Sequence, residues 1–391
     1  MVNQLTASSV GLGLVAHHDL GGFGDGMQVI RHENVLYIGH TGTTGMGTSI
    51  LDVTDPAHPE LVTQWPAPQR SHTHKVQVAD GLLLVNHEKF PYRAHYDEGF
   101  SAGLSVYRLT DPLRPEQAGF YPSGGRGVHR IVWRGGRYAH MSATPAGFRD
   151  RIWIVIDLAD PEHPAEAARW WWPGQREDET PDWPAGRRYA AHHALIAGDR
   201  AYLGYDDAGM AVLDVTDITR PRLAARAEWD GGGSTHTCLP LPGRGLVVAT
   251  DEQVRDGPGA PPRDIRVLDV SGAEPKVIAS CPVPQGFGGL PMRFGAHNLH
   301  ENQPGAYRSE RLVFATYFSA GLRVYDLADP ARPAEVAHWI PQPPDGQPVP
   351  QLNDLFVDHE GLIWVTDRIG GGLYVLRPNG ALETLMDEAR A

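Results

Sequence analysis

The stretch ILDVTDPAHPELVTQW, residues 50–65, is one of six versions of a single phrase in this chain of 391 residues. Each version has a short β-rich run, a turn that is typically Asp-Pro, and a second alternating run, which together indicate two strands joined by a turn. The other five versions are VYRLTDPLRPEQAGFY (106–121), VIDLADPEHPAEAARWW (155–171), VLDVTDITRPRLAARAEW (212–229), VLDVSGAEPKVIAS (267–280) and VYDLADPARPAEVAHW (324–339).

The repeat length identifies the architecture. Two more strands precede the phrase in each period, as in HKVQV, an Asp-Gly turn and LLLVN at 74–86. Four strands in a period of about 55 residues are typical of one blade of a β-propeller. The equivalent turn residues that define the period are Asp55, Asp111, Asp160, Asp217, Gly272 and Asp329.

A seventh unit, residues 352–380, supplies only three strands, whereas residues 10–20 resemble an outer strand. We therefore predict an all-β fold in which residues 1–391 form a single seven-bladed β-propeller of four-stranded blades. The N-terminal strand, at about 10–20, completes blade seven and closes the ring, which removes exposed sheet edges. The predicted blades lie at about 25–66, 72–122, 127–173, 189–230, 234–283, 295–340 and 351–380.

The repeats resemble those of the LVIVD-repeat family of β-propeller proteins. The stretches that carry the resemblance are GTSILDVTDPAHPELV, RSHTHKVQV, GAHNLHENQPG, TYFSAGLRVYDLADPARPAEVA and VTDRIGGGLYVL. The resemblance implies the propeller fold over nearly the whole chain and no particular reaction, because propellers support many chemistries. Function has to be inferred from individual residues.

Composition excludes several classes of function. A formal charge of −13 argues against nucleic-acid binding, which depends on Lys and Arg neutralising phosphates. No apolar run approaches the ~20 residues that a membrane span needs. The N-terminus lacks the pattern of a signal peptide, and only Cys238 and Cys281 are present. We therefore expect a cytoplasmic protein with no membrane or nucleic-acid partner; its oligomeric state is left open.

Histidines recur at one position of the inner strands. Counting back seven residues from the second hairpin residue of blades two to five reaches a histidine each time, and blade six brings His297, with His300 as its alternative. Neutral imidazoles that converge near an axis are ligands for transition metals. We predict one transition-metal ion (Fe, Cu, Mn or Zn) held by three or four members of one set. That set is His74, His129, His192, His236 and His297.

Neighbouring residues complete the predicted site. His72 is a same-face alternative to His74, whereas strand alternation is expected to turn His193 away from the axis, between blades. The ends of the second strands bring four further candidate catalytic residues to the same face, namely Glu88, Glu252, Tyr317 and Arg368. Glu88 and Glu252 are expected to orient the ligating rings rather than to bind the metal.

Long loops on the same face favour recognition of a small molecule. They contain Tyr92, Arg93, Tyr96, Trp183, Phe287 and Arg293, which suit a polar or aromatic substrate. We predict a metal-dependent enzyme, an oxidoreductase if the ligands are all histidines. If Glu88, Glu252 or Glu301 also binds, a Lewis-acid metal and a lyase, isomerase or hydrolase are the alternative. The other alternative is a non-catalytic protein-binding scaffold in which the histidines only bond neighbouring loops.

Overall fold

The computed structural model describes residues 6–92, 94–257 and 263–391. The described residues contain 29 β-strands and one α-helix, α1 (Ala381–Glu388), so the predicted all-β class is confirmed. No helical segment within the described ranges has the length and apolar character that crossing a membrane requires.

The described strands form antiparallel sheets, five of four strands each and one of nine strands that joins the second and third repeats; within a repeat, most strands pair with their neighbours in sequence. The N-terminal strands are β1 (Ser8–Val10) and β2 (Leu12–His18). The first repeat contains β3 (Gly26–His32), β4 (Val35–His40), β5 (Met46–Asp52) and β6 (Glu60–Pro66), and the second contains β7 (Ser71–His72), β8 (Val76–Ala79), β9 (Leu82–Lys89), β10 (Gly103–Arg108) and β11 (Glu116–Pro122). The third contains β12 (Gly127–Val132), β13 (Tyr138–Thr144), β14 (Ile152–Asp157) and β15 (Ala165–Trp170), and the fourth contains β16 (Ala194–Ala197), β17 (Arg200–Gly204), β18 (Met210–Asp214) and β19 (Arg222–Ala227). The last three contain β20 (Thr235–Leu241), β21 (Leu246–Asp251), β22 (Ile265–Asp269) and β23 (Lys276–Ser280); β24 (Leu312–Thr316), β25 (Leu322–Asp326) and β26 (Ala334–Ile340); and β27 (Leu352–Val357), β28 (Ile363–Asp367) and β29 (Gly372–Pro378).

The turn in five of the six repeated phrases is held by the side chain of its aspartate. The Oδ1 atom of Asp55 accepts a hydrogen bond of 3.0 Å from the backbone N–H of Ala57, and Asp111 does the same for Leu113 at 3.0 Å. Such a bond to the residue two positions on is the Asx-turn that favours Asp at this place. The repeated residue therefore has a local structural role.

The N-terminal segment pairs with strands from the opposite end of the chain. Strand β2 runs antiparallel to β29, with Leu12 opposite Pro378 and His18 opposite Leu373. Strand β1 lies along β26 of the preceding sheet. The sheet of β27 to β29 thus gains a fourth strand from residues 12–18, within the segment that the sequence assigned to this role.

The first strands of several sheets contain β-bulges. The register shifts between Val128 and Arg130 in β12, between Thr235 and Cys238 in β20, and between Leu352 and Asp354 in β27. A bulge sets two residues against one on the neighbouring strand and locally breaks the alternation of side chains. Adjacent residues of a first strand can therefore face the same side of the sheet.

Apolar side chains pack between neighbouring sheets rather than in one central mass. One cluster joins Leu36 and Ile38 of β4 to Val76 of β8 and Val85 of β9. The largest fully buried side chains include those of three tryptophans, Trp133, Trp153 and Trp364. This packing leaves the first strands of the sheets to surround a polar region.

Candidate metal site

All five predicted histidine ligands line one cavity of about 450 Å³. Glu88, Glu252 and Arg368 line it as well, so the structure brings eight of the nine predicted site residues together. Tyr317 is the exception. Its side chain is fully buried in an apolar cluster beside Phe294 and Tyr325 and does not reach the cavity.

The histidines form a continuous arc around the cavity. Ring centroids are 5.2 Å apart for His74 and His129, and 5.1 Å apart for His129 and His192. The arc continues with 3.5 Å from His192 to His236 and 4.5 Å from His236 to His297. His72, the predicted alternative to His74, stacks on it at 3.9 Å.

These imidazoles are buried and uncharged. Burial, with neighbouring cations and histidines, lowers the pKa of each of the five rings well below its usual value. A neutral imidazole carries one N–H and one lone pair, and only the lone pair can bind a metal. The hydrogen bond made by one ring nitrogen therefore determines whether the other nitrogen keeps a lone pair.

Glu88 fixes the orientation of His129. The Nδ1 atom of His129 lies 2.9 Å from one carboxylate oxygen of Glu88 and 3.1 Å from the other, so Nδ1–H donates and Nε2 keeps its lone pair. The same carboxylate accepts from Nε2 of His72 at 2.8 Å, while Nδ1 of His72 faces the carbonyl of Thr41. Glu88 therefore accepts hydrogen bonds from two imidazole rings, and each nitrogen of His72 lies within hydrogen-bonding distance of an oxygen.

His192 is oriented by its neighbour in sequence. The Nδ1 atoms of His192 and His193 are 2.7 Å apart, and Nε2 of His193 lies 3.3 Å from a carboxylate oxygen of Glu301. That carboxylate favours the proton on Nε2 of His193, so Nδ1 of His193 accepts from His192 and leaves Nε2 of His192 with a lone pair. The expectation that His193 points between blades is wrong, because alternation does not hold where the inner segments bulge or begin.

His297 is held by the backbone of the next inner strand. Its Nδ1–H donates to the carbonyl of Asn353 at 2.7 Å, which leaves Nε2 free. The alternative ligand His300 lies elsewhere: its Nε2–H donates to the carbonyl of Tyr307 at 2.7 Å, and its Nδ1 accepts from the N–H of Val357 at 3.2 Å. His300 packs beside two phenylalanine rings and has a structural role.

His74 has the opposite tautomer. The amide of Asn86 is fixed by two backbone bonds, accepting from Lys75 N–H at 2.7 Å and donating to the carbonyl of Val128 at 2.6 Å. Its NH₂ group also lies 3.1 Å from Nδ1 of His74, which must accept. The proton of His74 is therefore on Nε2, and this ring presents an N–H donor rather than a metal ligand.

Glu252 lies beside two of the histidines, close enough to bind the same ion as they would. One potential ligand atom from each of His236, Glu252 and His297 falls within 4.8 Å of the other two. Glu252 Oε1 is 3.7 Å from His297 Nε2 and also accepts from Arg293 at 3.0 Å. Two histidines and a carboxylate with open positions are the donor set of non-haem Fe(II) sites.

Below the histidines lies a layer of buried charges that the sequence interpretation missed. Arg130 is hydrogen-bonded to Glu301 and lies 3.4 Å from Asp354, and Lys75 lies 3.8 Å from Asp354. Three of the five predicted histidines are directly followed by a basic residue, and these followers, Lys75, Arg130 and His193, were the available signal in the sequence. Burial alone would raise the pKa of Glu301, but Arg130, His193 and Arg134 together outweigh burial and lower it, which keeps this carboxylate ionised.

The loop residues that were expected to recognise a substrate are only partly at the cavity. Tyr92 and Arg293 line it, whereas Trp183 stacks on Tyr189 with ring centroids 4.6 Å apart, and Phe287 belongs to an apolar cluster. Arg93 lies outside the described residues.

No protein-family model matches the chain, and no curated protein matches it either. The computationally designed Ika8 protein has a similar structure, with a TM-score of 0.51 and 9% sequence identity over 93% of this chain and 98% of that chain. A functionally unknown protein from Desulfotomaculum acetoxidans DSM 771 gives a TM-score of 0.53 and 10% identity, over 91% of this chain and 90% of that chain. At these identities the similarity is one of fold alone.

Proposed function

We propose that the sheets are the blades of a closed seven-bladed β-propeller of the LVIVD-repeat type. The pairing of β2 with β29 supports closure, because it joins the N-terminal segment to the last sheet of the chain. The β1 and β26 pair adds a second link between the two ends. The candidate metal site then lies at one mouth of the central channel.

We further propose that the protein is a metal-dependent oxidoreductase that acts on a small polar or aromatic molecule. The observation that carries this proposal is the group of His236, His297 and Glu252, whose ligand atoms lie within 4.8 Å of one another on the wall of the cavity. His192 and His129 face the same space with free Nε2 atoms and can complete the coordination of one transition-metal ion.

The donor set differs from the all-histidine set on which the sequence-based expectation of oxidation depended, but it favours iron and oxidation on other grounds. Imidazole suits Zn, Cu, Fe and Ni, and two histidines and one carboxylate that leave positions open are characteristic of Fe(II) enzymes that use O₂. Arg293 holds Glu252 at 3.0 Å and neutralises part of its charge, which would fix the carboxylate for binding. Lyase or hydrolase chemistry would use the same ligands with a Lewis-acid metal. Location in the cytoplasm remains a prediction from sequence.

Metal analysis tests the proposal. The purified protein is stripped with a chelator, titrated with Fe(II) under nitrogen and separately with Mn(II), Cu(II) and Zn(II), and its metal content is then measured. We expect one equivalent in the wild type, and loss of metal in His236→Ala and His297→Ala. His163→Ala is the matched control, because this histidine is exposed on a turn away from the cavity and pairs with Asp160.

The two glutamates are expected to differ. Glu252→Gln removes a ligand charge and should abolish stoichiometric binding, whereas Glu88→Gln removes only an orienting acceptor and should weaken affinity by roughly 10 to 100-fold. A protein that takes up less than a tenth of an equivalent of every metal would overturn the proposal.

A further inference from the structure

The arc of histidines is interrupted between His297 and His74. In this gap the inner strands contribute Asn353 and Met27, and Met27 lines the cavity with an apolar side chain. Arg368, at the end of β28, lines the same part of the wall. The composition of the gap therefore differs from the rest of the arc.

The guanidinium of Arg368 has few hydrogen-bond partners for a cation in a cavity wall. Its guanidinium donates one hydrogen bond of 3.3 Å to the side-chain oxygen of Asn353 and lies 6.0 Å from the ring centre of Phe318. Within the described ranges, no carboxylate oxygen comes within hydrogen-bonding distance of it. Most of its five N–H donors thus remain available.

Most of the other cations of the cavity wall have carboxylate partners. Arg188 forms hydrogen bonds of 2.7 and 2.9 Å with Asp150, and Arg293 lies 3.0 Å from Glu252. Arg151 and Lys75 lie 3.9 and 3.8 Å from Asp206 and Asp354, respectively. Arg126 is exposed at the rim, where water screens its charge. Arg368 is therefore the cation of the inner wall best placed to receive an anion.

His74 provides a second donor on the wall of the same cavity. Its Nε2 carries the proton, as the bond from Asn86 requires, and this atom is buried with no hydrogen-bond partner among the described residues. The residue is only 1% exposed and lines the cavity. A buried donor without a partner is destabilising, so an acceptor in the cavity would bind favourably here.

We propose that the wall formed by Arg368, Met27 and His74 binds the carboxylate of a small organic acid. The planar guanidinium can hold a carboxylate through two parallel N–H···O bonds, and the neutral N–H of His74 can donate to the same group. A carboxylate carries a single charge and is balanced by one arginine. The rest of the molecule would extend over Met27 towards His236, His297 and Glu252.

This inference deepens the proposed function, because it names the substrate class of the same cavity, but its test does not depend on a metal. Chelator-treated protein, shown to be metal-free, is titrated calorimetrically with benzoate and with the neutral benzamide. We expect benzoate to bind the wild type at least ten times more tightly than benzamide. Arg368→Gln and His74→Phe should each weaken benzoate binding about tenfold or more. Arg368→Gln should affect benzamide much less, because benzamide has no charge, whereas His74→Phe should weaken both ligands, because an amide oxygen also accepts from an N–H.

Two further variants make the result specific. Arg368→Lys keeps the charge without the planar fork and should retain part of the affinity; it also covers the case in which Arg368→Gln does not fold. Arg137→Gln is the matched control, because this exposed arginine pairs with Asp157 outside the cavity at 2.6 Å and its loss should change nothing. Melting curves establish that each variant is folded.

The inference is overturned if metal-free wild type shows no preference for benzoate over benzamide, or if folded Arg368 variants bind benzoate as the wild type does. Failure of the two proposals can be told apart. Benzoate binding without any metal uptake would refute the metal site alone, and metal uptake without benzoate binding would refute the carboxylate site alone.

Discussion

The Nδ1 atoms of His192 and His193 lie 2.7 Å apart, so one ring of this adjacent pair donates to the other. Since Glu301 is 3.3 Å from the far nitrogen of His193, the proton between the rings belongs to His192. These two neighbours in sequence therefore have different roles. His192 faces the cavity, and His193 orients the ring of His192.

His193→Ala should lower the metal affinity of the site by roughly 10 to 100-fold, because it removes the acceptor that orients His192. A competition titration against a chromophoric chelator measures the change. His87→Ala is the control: this histidine is also buried but bonds Ser105 away from the cavity. Equal affinities for His193→Ala and the wild type would contradict the orienting role.

Gly204→Ala should displace the segments that carry two of the histidines. A Cβ at Gly204 would lie 2.3 Å from the carbonyl oxygen of His236, and the carbonyl of Gly204 accepts from the N–H of His192 at 2.8 Å. We expect a loss of about 1–3 kcal/mol in unfolding free energy from overpacking, together with weaker metal binding. Guanidinium unfolding and the same chelator assay measure both effects.

The control for Gly204 is Gly272→Ala, since a Cβ at Gly272 meets no atom within 4 Å. Its stability and metal affinity should match those of the wild type. If both alanine variants behaved alike, close approach at Gly204 would not be the reason that glycine is needed there.

His300 should make the fold sensitive to acid. Burial lowers its pKa from 6.5 to about 4, and its Nδ1 is occupied by the N–H of Val357. The unfolded chain takes up a proton at a higher pH than the folded one. The stabilisation is therefore complete above pH 6.5 and is lost as the pH falls towards 4, by about 3 kcal/mol at most.

His300→Gln retains a donor and an acceptor but cannot be protonated in this range. Urea unfolding at pH 7, 6 and 5 should show a shallower decline of unfolding free energy than in the wild type. Parallel declines in the two proteins would show that His300 does not carry this pH dependence.

Two leucines of β2 test the role of the N-terminal strand. Leu12 is 3% exposed and packs in an apolar cluster with residues of β29, whereas Leu14 is 54% exposed. Leu12→Ala should cost about 2–5 kcal/mol of unfolding free energy, while Leu14→Ala should cost little. Deleting residues 1–20 removes the whole strand and should sharply lower the melting temperature. An unchanged melting curve would mean that the strand contributes nothing to stability.

Strand alternation predicted the direction of some side chains correctly and of others wrongly. It correctly grouped His129, His236 and His297 on one face, since the same hairpin register repeats from sheet to sheet. It failed for His193, and it gave no sign that Lys75 and Arg130 lie beneath the ligands. Bulges and irregular starts of the inner segments expose two consecutive side chains to the same space, and their presence depends on pairing with a neighbouring strand.

The repeat, the all-β class and the grouping of five histidines at one cavity could all be predicted from the sequence, because they follow from its period and its local turn chemistry. The folded chain was needed to establish the tautomers of His74, His129, His192 and His297, that Glu252 lies beside His236 and His297, and that Tyr317 and His300 lie away from the cavity. Those outcomes depend on hydrogen-bond partners such as Asn86 and Asn353, which come from distant positions in the chain or from neighbouring sheets. No local pattern encodes such contacts, since they arise only when the sheets pack against one another.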